Sequence, residues 1–191
     1  MPVPTARKIM IIRHAEKPDG AGTPYGINAD GEQDNESLIV RGWQRAGALA
    51  AFFAPARGPM QDPRLAKPEV LFAAVVAPHA KSERPTETIT PLSQRLKIQL
   101  NVQGEYTKGQ EAAVANAALI SQGTVLICWQ HEDIPTIADN IPLSNGPVPG
   151  KWPGDRFDIV WVFDLQPPNG LYAFSQVPQE LLEGDQPTVI S

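Results

Sequence analysis

The chain carries three histidines, and each comes soon after an apolar run: His14 after "KIMII", His79 after "LFAAVVA" and His131 after "TVLICWQ". Charged partners accompany each one. Arg13 and Glu16 flank His14, Glu83 and Arg84 follow His79, and Glu132 and Asp133 follow His131. If the apolar runs are parallel neighbours, all these groups gather on one rim. An arginine presents a planar fork that matches phosphate or carboxylate oxygens bidentately. An imidazole crowded by guanidiniums resists a second positive charge, stays neutral and can attack an electrophile. Phosphoryl transfer needs an in-line nucleophile, charge stabilisation on the equatorial oxygens and an acid for the leaving oxygen. Two arginines, two histidines and a carboxylic acid supply all three.

The elements that must position these groups follow from hydrophobic pattern and punctuation. "KIMII", "EVLFAAVVA" and "TVLICWQ" are apolar without alternation, as buried parallel strands are. "VRGWQRAGALAAFFA" places Trp43, Ala46, Leu49, Ala50 and Phe53 on one helical face and stops at Pro55. "SERPTETITPLSQRL" predicts a helix with Ser82 as N-cap, Pro85 in the first turn and a kink or break at Pro91. "KIQLNV" reads as a short strand, "GQEAAVANAALISQG" as a helix stopped by Gly123, and "EDIPTIADNI" as the opening of another helix. "FDIVWVFDL" and "GLYAFSQV" read as strands joined by the turn "QPPNG". The whole predicts an α/β fold: a three-layer sandwich with a mostly parallel central sheet flanked by helices. Such sheets bind ligands beyond the carboxyl ends of their strands. Residues 18–40, 55–69 and 141–156 read as long Pro/Gly-rich loops, of a length usually tied to function. No repeat or linker divides the chain, so residues 1–191 are expected to form one domain.

The bulk numbers narrow the function classes. A net charge of −5 in 191 residues argues against a nucleic-acid footprint or a basic membrane surface, while leaving room for a small cationic pocket. The single cysteine, Cys128, lies in an apolar run and reads as a buried inert thiol. No apolar stretch is long enough to span a bilayer, and the first residues lack a signal-peptide core, so a soluble cytoplasmic protein is expected.

The ordered set "RHAEKP" (Arg13 to Pro18), "RPTET" (Arg84 to Thr88) and "WQHED" (Trp129 to Asp133) resembles the histidine phosphatase superfamily, which includes cofactor-dependent phosphoglycerate mutases and many small phosphatases. "RGWQRAGALA" also resembles the first helix of that family. The resemblance implies a phosphoglycerate mutase-like fold and a phosphatase that hydrolyses a small phosphomonoester, with neither metal nor other cofactor. His14 would be the nucleophile that becomes phosphohistidine. Arg13 and Arg84 would clamp the phosphoryl oxygens, and His131 would donate to the phosphoryl group in the transition state. For the proton donor, "EYTKG" matches the mutase-like branch and makes Glu105 the first candidate, with Glu111 next. The acid-phosphatase branch instead favours Glu132 or Asp133, directly after the second histidine. The chain departs from the family at "APHAKSER", where Ser-Ser-Pro-Leu is common, so His79 and Lys81 have no family role. It also has Ala15-Glu16-Lys17-Pro18 where Gly-Glu-Thr is common, which leaves the substrate open.

The expected partner is a small phosphorylated substrate or inorganic phosphate; oligomeric state stays open. Three alternatives remain: a phosphomutase of the same fold, a non-catalytic phospho-ligand binding protein, and a metal hydrolase built on His14, His131 and Asp133. Two arginines in the pocket and the lack of an HExxH helical pair weigh against the last. Glu16 reads as a loop anchor rather than a catalyst.

Overall fold

The computed structural model describes residues 4–20 and 22–191. Their core is a six-stranded sheet. Strand β1 spans Ala6–Arg13, β2 Val70–Ala73, β3 Leu100–Asn101, β4 Gly123–Trp129, β5 Ile159–Gln166 and β6 Leu171–Pro178. The strand order is β3-β2-β4-β1-β5-β6. β1, β2, β3 and β4 run parallel, whereas β5 pairs antiparallel with β1 and with β6.

Both faces of the sheet are covered, which explains why the strands read as unbroken apolar runs. Alternate residues point to opposite faces. Ile9 and Ile11 of β1, with Ile127 of β4 and Trp161 of β5, pack against helices α3 (Glu111–Ile120) and α4 (Ile134–Asp139). Met10 and Ile12, with Cys128 and Val160, pack against α1 (Val40–Phe53) and α2 (Arg84–Leu96). Cys128 is fully buried beneath these helices. Burial pushes its thiol far above the ordinary range, so it is inert as a nucleophile.

The chain leaves β1 towards α1 on one face and leaves β4 towards α4 on the other. The carboxyl ends of these two neighbours therefore border a crevice of the kind that binds ligands in open α/β sheets. Among the described residues, no helix is long and apolar enough to cross a membrane.

Several sequence expectations need correction. The strand expected over 69–77 forms only at Val70–Ala73, because the chain then turns away and Val75 N donates to Tyr106 O. His79 is thus not at a strand end; it is exposed, in a turn bridged between Ala77 and Ala80. Helix α2 begins at Arg84, with Glu83 rather than Ser82 at its N-cap and no side-chain cap. The entering chain is instead held by Glu83 N donating to Glu36 O at 3.2 Å. Pro91 does not break α2. Ile89 and Leu92 on either side of it are buried against the sheet, and tertiary packing outweighs the lost helical bond. Helix α3 ends at Ile120, so Gly123 opens β4 with φ of 78° instead of stopping the helix.

Candidate active site

The β1–β4 crevice holds His14 and His131. His14 N donates to Trp129 O at 3.0 Å, extending the parallel ladder one residue past both strands. The chain then needs an anchor, and the "RPTET" segment supplies it. Ala15 N donates to Thr88 Oγ1 at 2.8 Å, and Thr88 Oγ1 in turn donates to Arg84 O at 2.7 Å. The turn after His14 is thereby pinned to the first turn of α2, which also carries Arg84.

His14 Nδ1 lies 2.7 Å from Ala15 O. A carbonyl can only accept, so Nδ1 carries the proton and Nε2 carries the lone pair. The ring is almost wholly buried. Burial, reinforced by the charges of Arg13 and Arg84, holds its pKa well below the usual histidine value of 6.5. At neutral pH it is an uncharged imidazole with one defined basic nitrogen.

Arg13 is fully buried. Its Nη1 donates to Gly154 O at 2.7 Å and to Arg156 O at 3.2 Å, and its Cζ stacks 3.7 Å from the Phe157 ring centroid. Among the described residues, its Nε and Nη2 have no hydrogen-bond partner. Burial lowers its pKa to about 10, which leaves it cationic at neutral pH. Two buried cationic N–H groups without acceptors are costly; Arg13 is not among the residues that line the cavity beside His14. Arg84 is held by the 35–37 loop. Its Nε donates to Ser37 O at 3.3 Å, its Nη2 donates to Asn35 O, and Glu36 Oε2 lies 3.8 Å away.

A cavity of about 220 Å³ opens here, lined by His14, Arg84 and His131 together with Lys17, Lys81, Lys108, His79, Glu36 and Glu132. Its walls carry four permanent cations against two carboxylates, in a chain whose net charge is −5. Lys81 is on the cavity wall, where it can contact phosphate; the separation of Lys17 and Lys108 along the chain conceals that the fold joins them with it. His79 donates from Nε2 to Lys108 O at 2.8 Å, tying the two loops that bear Lys81 and Lys108. His131 Nδ1 sits 3.1 Å from Glu132 Oε2, within ion-pair range but out of hydrogen-bond alignment. Burial and the Arg13 charge hold His131 below the usual histidine value.

The carboxylate candidates are dispersed. Glu105 is exposed in the 104–105 turn and is not among the cavity-lining residues. Glu111 is buried, its Oε1 accepting from Gly109 N at 2.9 Å and Trp129 Nε1 at 3.2 Å, a structural role. Asp133 lies 3.5 Å from Lys108 Nζ, and burial raises its pKa. Glu132 lines the cavity. Burial works to raise its pKa, but its backbone hydrogen bond and the neighbouring His131, Lys108 and Lys17 outweigh that, and the net shift is downward. Glu16 is buried and bonded to Arg41 and Arg45, as expected of an anchor. Among the described residues, no group of three or more His, Cys, Asp or Glu is placed to hold a metal ion.

No protein-family model matches the chain, and no curated protein matches it in sequence. Solved structures do match in fold. The protein histidine phosphatase SixA complexed with tungstate superposes with a TM-score of 0.53 at 13% identity, covering 90% of this chain and 97% of that one. A SixA protein from Agrobacterium tumefaciens gives 0.47 at 14% identity, covering 83% and 91%. A structure named mycobacterial hydrolase 2 gives 0.42 at 12% identity, covering 89% and 88%. The chain thus has the fold of a histidine phosphatase, the three-layer, phosphoglycerate mutase-like α/β sandwich.

Proposed function

We propose that this chain is a phosphatase that hydrolyses a small phosphomonoester through a phosphohistidine on His14, without a metal ion. The observation that carries this reading is the His14 ring itself: neutral, fixed by the Nδ1 bond to Ala15 O, and facing a cationic cavity with Nε2 free of any proton. In the first step Nε2 attacks phosphorus, the P–O bond to the leaving group breaks, and that oxygen takes up a proton from solvent water, or from Glu132 at a pH low enough to protonate it. In the second, water attacks phosphorus, loses a proton, and the P–N bond breaks to return the imidazole. Arg84, on the cavity wall, would hold the equatorial oxygens, with His131 donating to them as charge grows. Arg13 is buried outside that wall; its Nε and Nη2 would join the clamp only for an oxyanion seated deeper than the cavity lining.

For proton transfer, Glu132 is the better-placed carboxylate, because it lines the cavity that Glu105 does not. Held ionised at neutral pH, Glu132 suits the role of base for the attacking water; as an acid it serves only as pH falls. The fold neighbour solved with tungstate, a tetrahedral oxyanion, is compatible with an oxyanion site here.

A second reading, phospho-ligand binding without turnover, draws on the exposed position of Glu105 and the ionised state of Glu132. Phosphate release from an aryl phosphate across pH 4–8, with and without EDTA, separates the two. EDTA-resistant turnover that disappears in His14→Ala supports the phosphatase. Phosphate binding with no turnover in the wild type supports the binding protein. If Glu132 handles protons, Glu132→Gln slows release while Glu105→Gln does not.

A further inference from the structure

Segment 179–188, which follows β6, reaches both halves of the candidate site by separate routes. The first route runs through Arg45 on α1. Its guanidinium is buried between two carboxylates: Nη2 donates to Asp185 Oδ1 at 2.6 Å and to Glu16 Oε1 at 2.8 Å, and Nε donates to both Glu16 oxygens at 3.1 Å. Nη1 is taken up by Asp185 Oδ2 and Gln179 Oε1, each at 3.0 Å. Every donor edge of Arg45 is therefore used. Asp185 is itself held by the backbone N–H groups of Leu181 and Leu182.

What this clamp controls is the peptide between Ala15 and Glu16. That peptide is planar, so a Glu16 held at its carboxylate by Arg45 and at its own carbonyl by Ile39 N restricts how the Ala15 carbonyl can turn. The Ala15 carbonyl is the acceptor that assigns the proton of His14 to Nδ1. Glu16 O also accepts from Ile39 N at 3.1 Å, holding the same residue from its other end.

The second route runs through Asp158 and Arg156. Asp158 Oδ2 accepts from Gln186 N at 2.6 Å and Oδ1 accepts from Arg156 Nε at 2.7 Å, while Arg156 Nη2 donates to Thr188 O at 2.7 Å. The carbonyl of that same Arg156, with that of Gly154, receives Arg13 Nη1.

We propose that Asp185 and Arg45 are positioning residues that set the His14 tautomer through Glu16 and Ala15, while Asp158 and Arg156 position the Arg13 guanidinium, both routes being anchored by segment 179–188. None of the four touches the cavity around His14. The tautomer claim stands on the geometry alone; its kinetic consequence rests on the phosphatase reading above.

The test uses full-length protein with 15N-labelled histidine, in which only three rings report. In the wild type the His14 shifts are those of a pure Nδ1–H tautomer. Asp185→Asn is expected to mix in the other tautomer and to lower kcat on an aryl phosphate on the order of tenfold, with KM little changed. Asp185→Glu restores both. Asp158→Asn is expected to act oppositely, raising KM and weakening inorganic phosphate binding while leaving the His14 shifts alone. Arg45→Lys, which keeps the charge but cannot bridge two carboxylates, repeats the Asp185→Asn result should that variant not fold. Wild-type shifts and kcat in a folded Asp185→Asn whose segment 181–186 has lost hydrogen-exchange protection would overturn the proposal. An inactive wild type would sink the phosphatase reading instead, and the nitrogen shifts would still decide this one.

Discussion

At the residue scale the site depends on one imidazole being uncharged. An unperturbed histidine with a pKa of 6.5 is only roughly a quarter neutral at pH 6. Burial and two nearby guanidiniums depress the His14 value, so its ring stays neutral there. The expected result is an NMR titration of His14 with a midpoint well below the ordinary histidine value of 6.5. The same shift has a stability consequence. Between the folded pKa of His14 and 6.5 the unfolded chain binds the proton and the folded chain does not. Stability therefore rises with pH across that window and is lost as pH falls below 6.5. His131, also depressed, acts in the same direction. Asp185 does so at lower pH: its folded pKa lies below 3.8, and its contribution is lost as pH falls through that value. A urea-denaturation series from pH 7 to pH 5 should show the stability falling, and less steeply in His14→Ala.

At the element scale, the turn after β1 works because α2 holds it. Thr88→Val keeps the shape but removes the acceptor of the Ala15 N–H. A buried donor left without a partner costs about 1–3 kcal/mol, which thermal unfolding would register. The variant should also lower turnover, since Ala15 orients His14. This contact indicates what the sequence made legible. "RHAEKP" and "RPTET" were readable because the needed residues sit side by side, and the buried strands were readable because a sheet covered on both faces leaves no alternation to confuse. The clamp on Glu16 was half readable: an anchor was expected, but Arg45 and Asp185 lie 140 positions apart and only the fold joins them. His79 was misplaced because "LFAAVVA" is apolar throughout, yet only its first residues pair with β4. Exposed Val76 shows that an apolar run can end in a loop. Glu105 rests on a motif match, and motif spacing carries no information about which side chains of the 102–110 loop reach the cavity: Lys108 does and Glu105 does not.

For the whole molecule, charge and core are separately arranged. The net charge of −5 coexists with a cavity whose permanent charges are mostly cationic, so the surface repels polyanions broadly while one site attracts a small one. The two apolar layers carry the stability, and the rim carries the chemistry. Ile127, fully buried between β4 and the α3–α4 layer, belongs to the first. Ile127→Ala is expected to cost about 2–5 kcal/mol in unfolding free energy. At a temperature where it remains folded its kcat should stay close to that of the wild type, which thermal melts and kinetics on one preparation would check. A large loss of kcat in the folded variant would mean that the core and the rim are more tightly coupled than this division holds.

The most direct test of the central claim is to look for the intermediate. The protein is mixed with an aryl phosphate, quenched in alkali to preserve an acid-labile P–N bond, and digested for mass spectrometry, with His14→Ala alongside. The account predicts a phosphoryl group on His14 in the wild type and none in the variant. Phosphate release by the wild type with no modified His14, or release that survives His14→Ala, would contradict it.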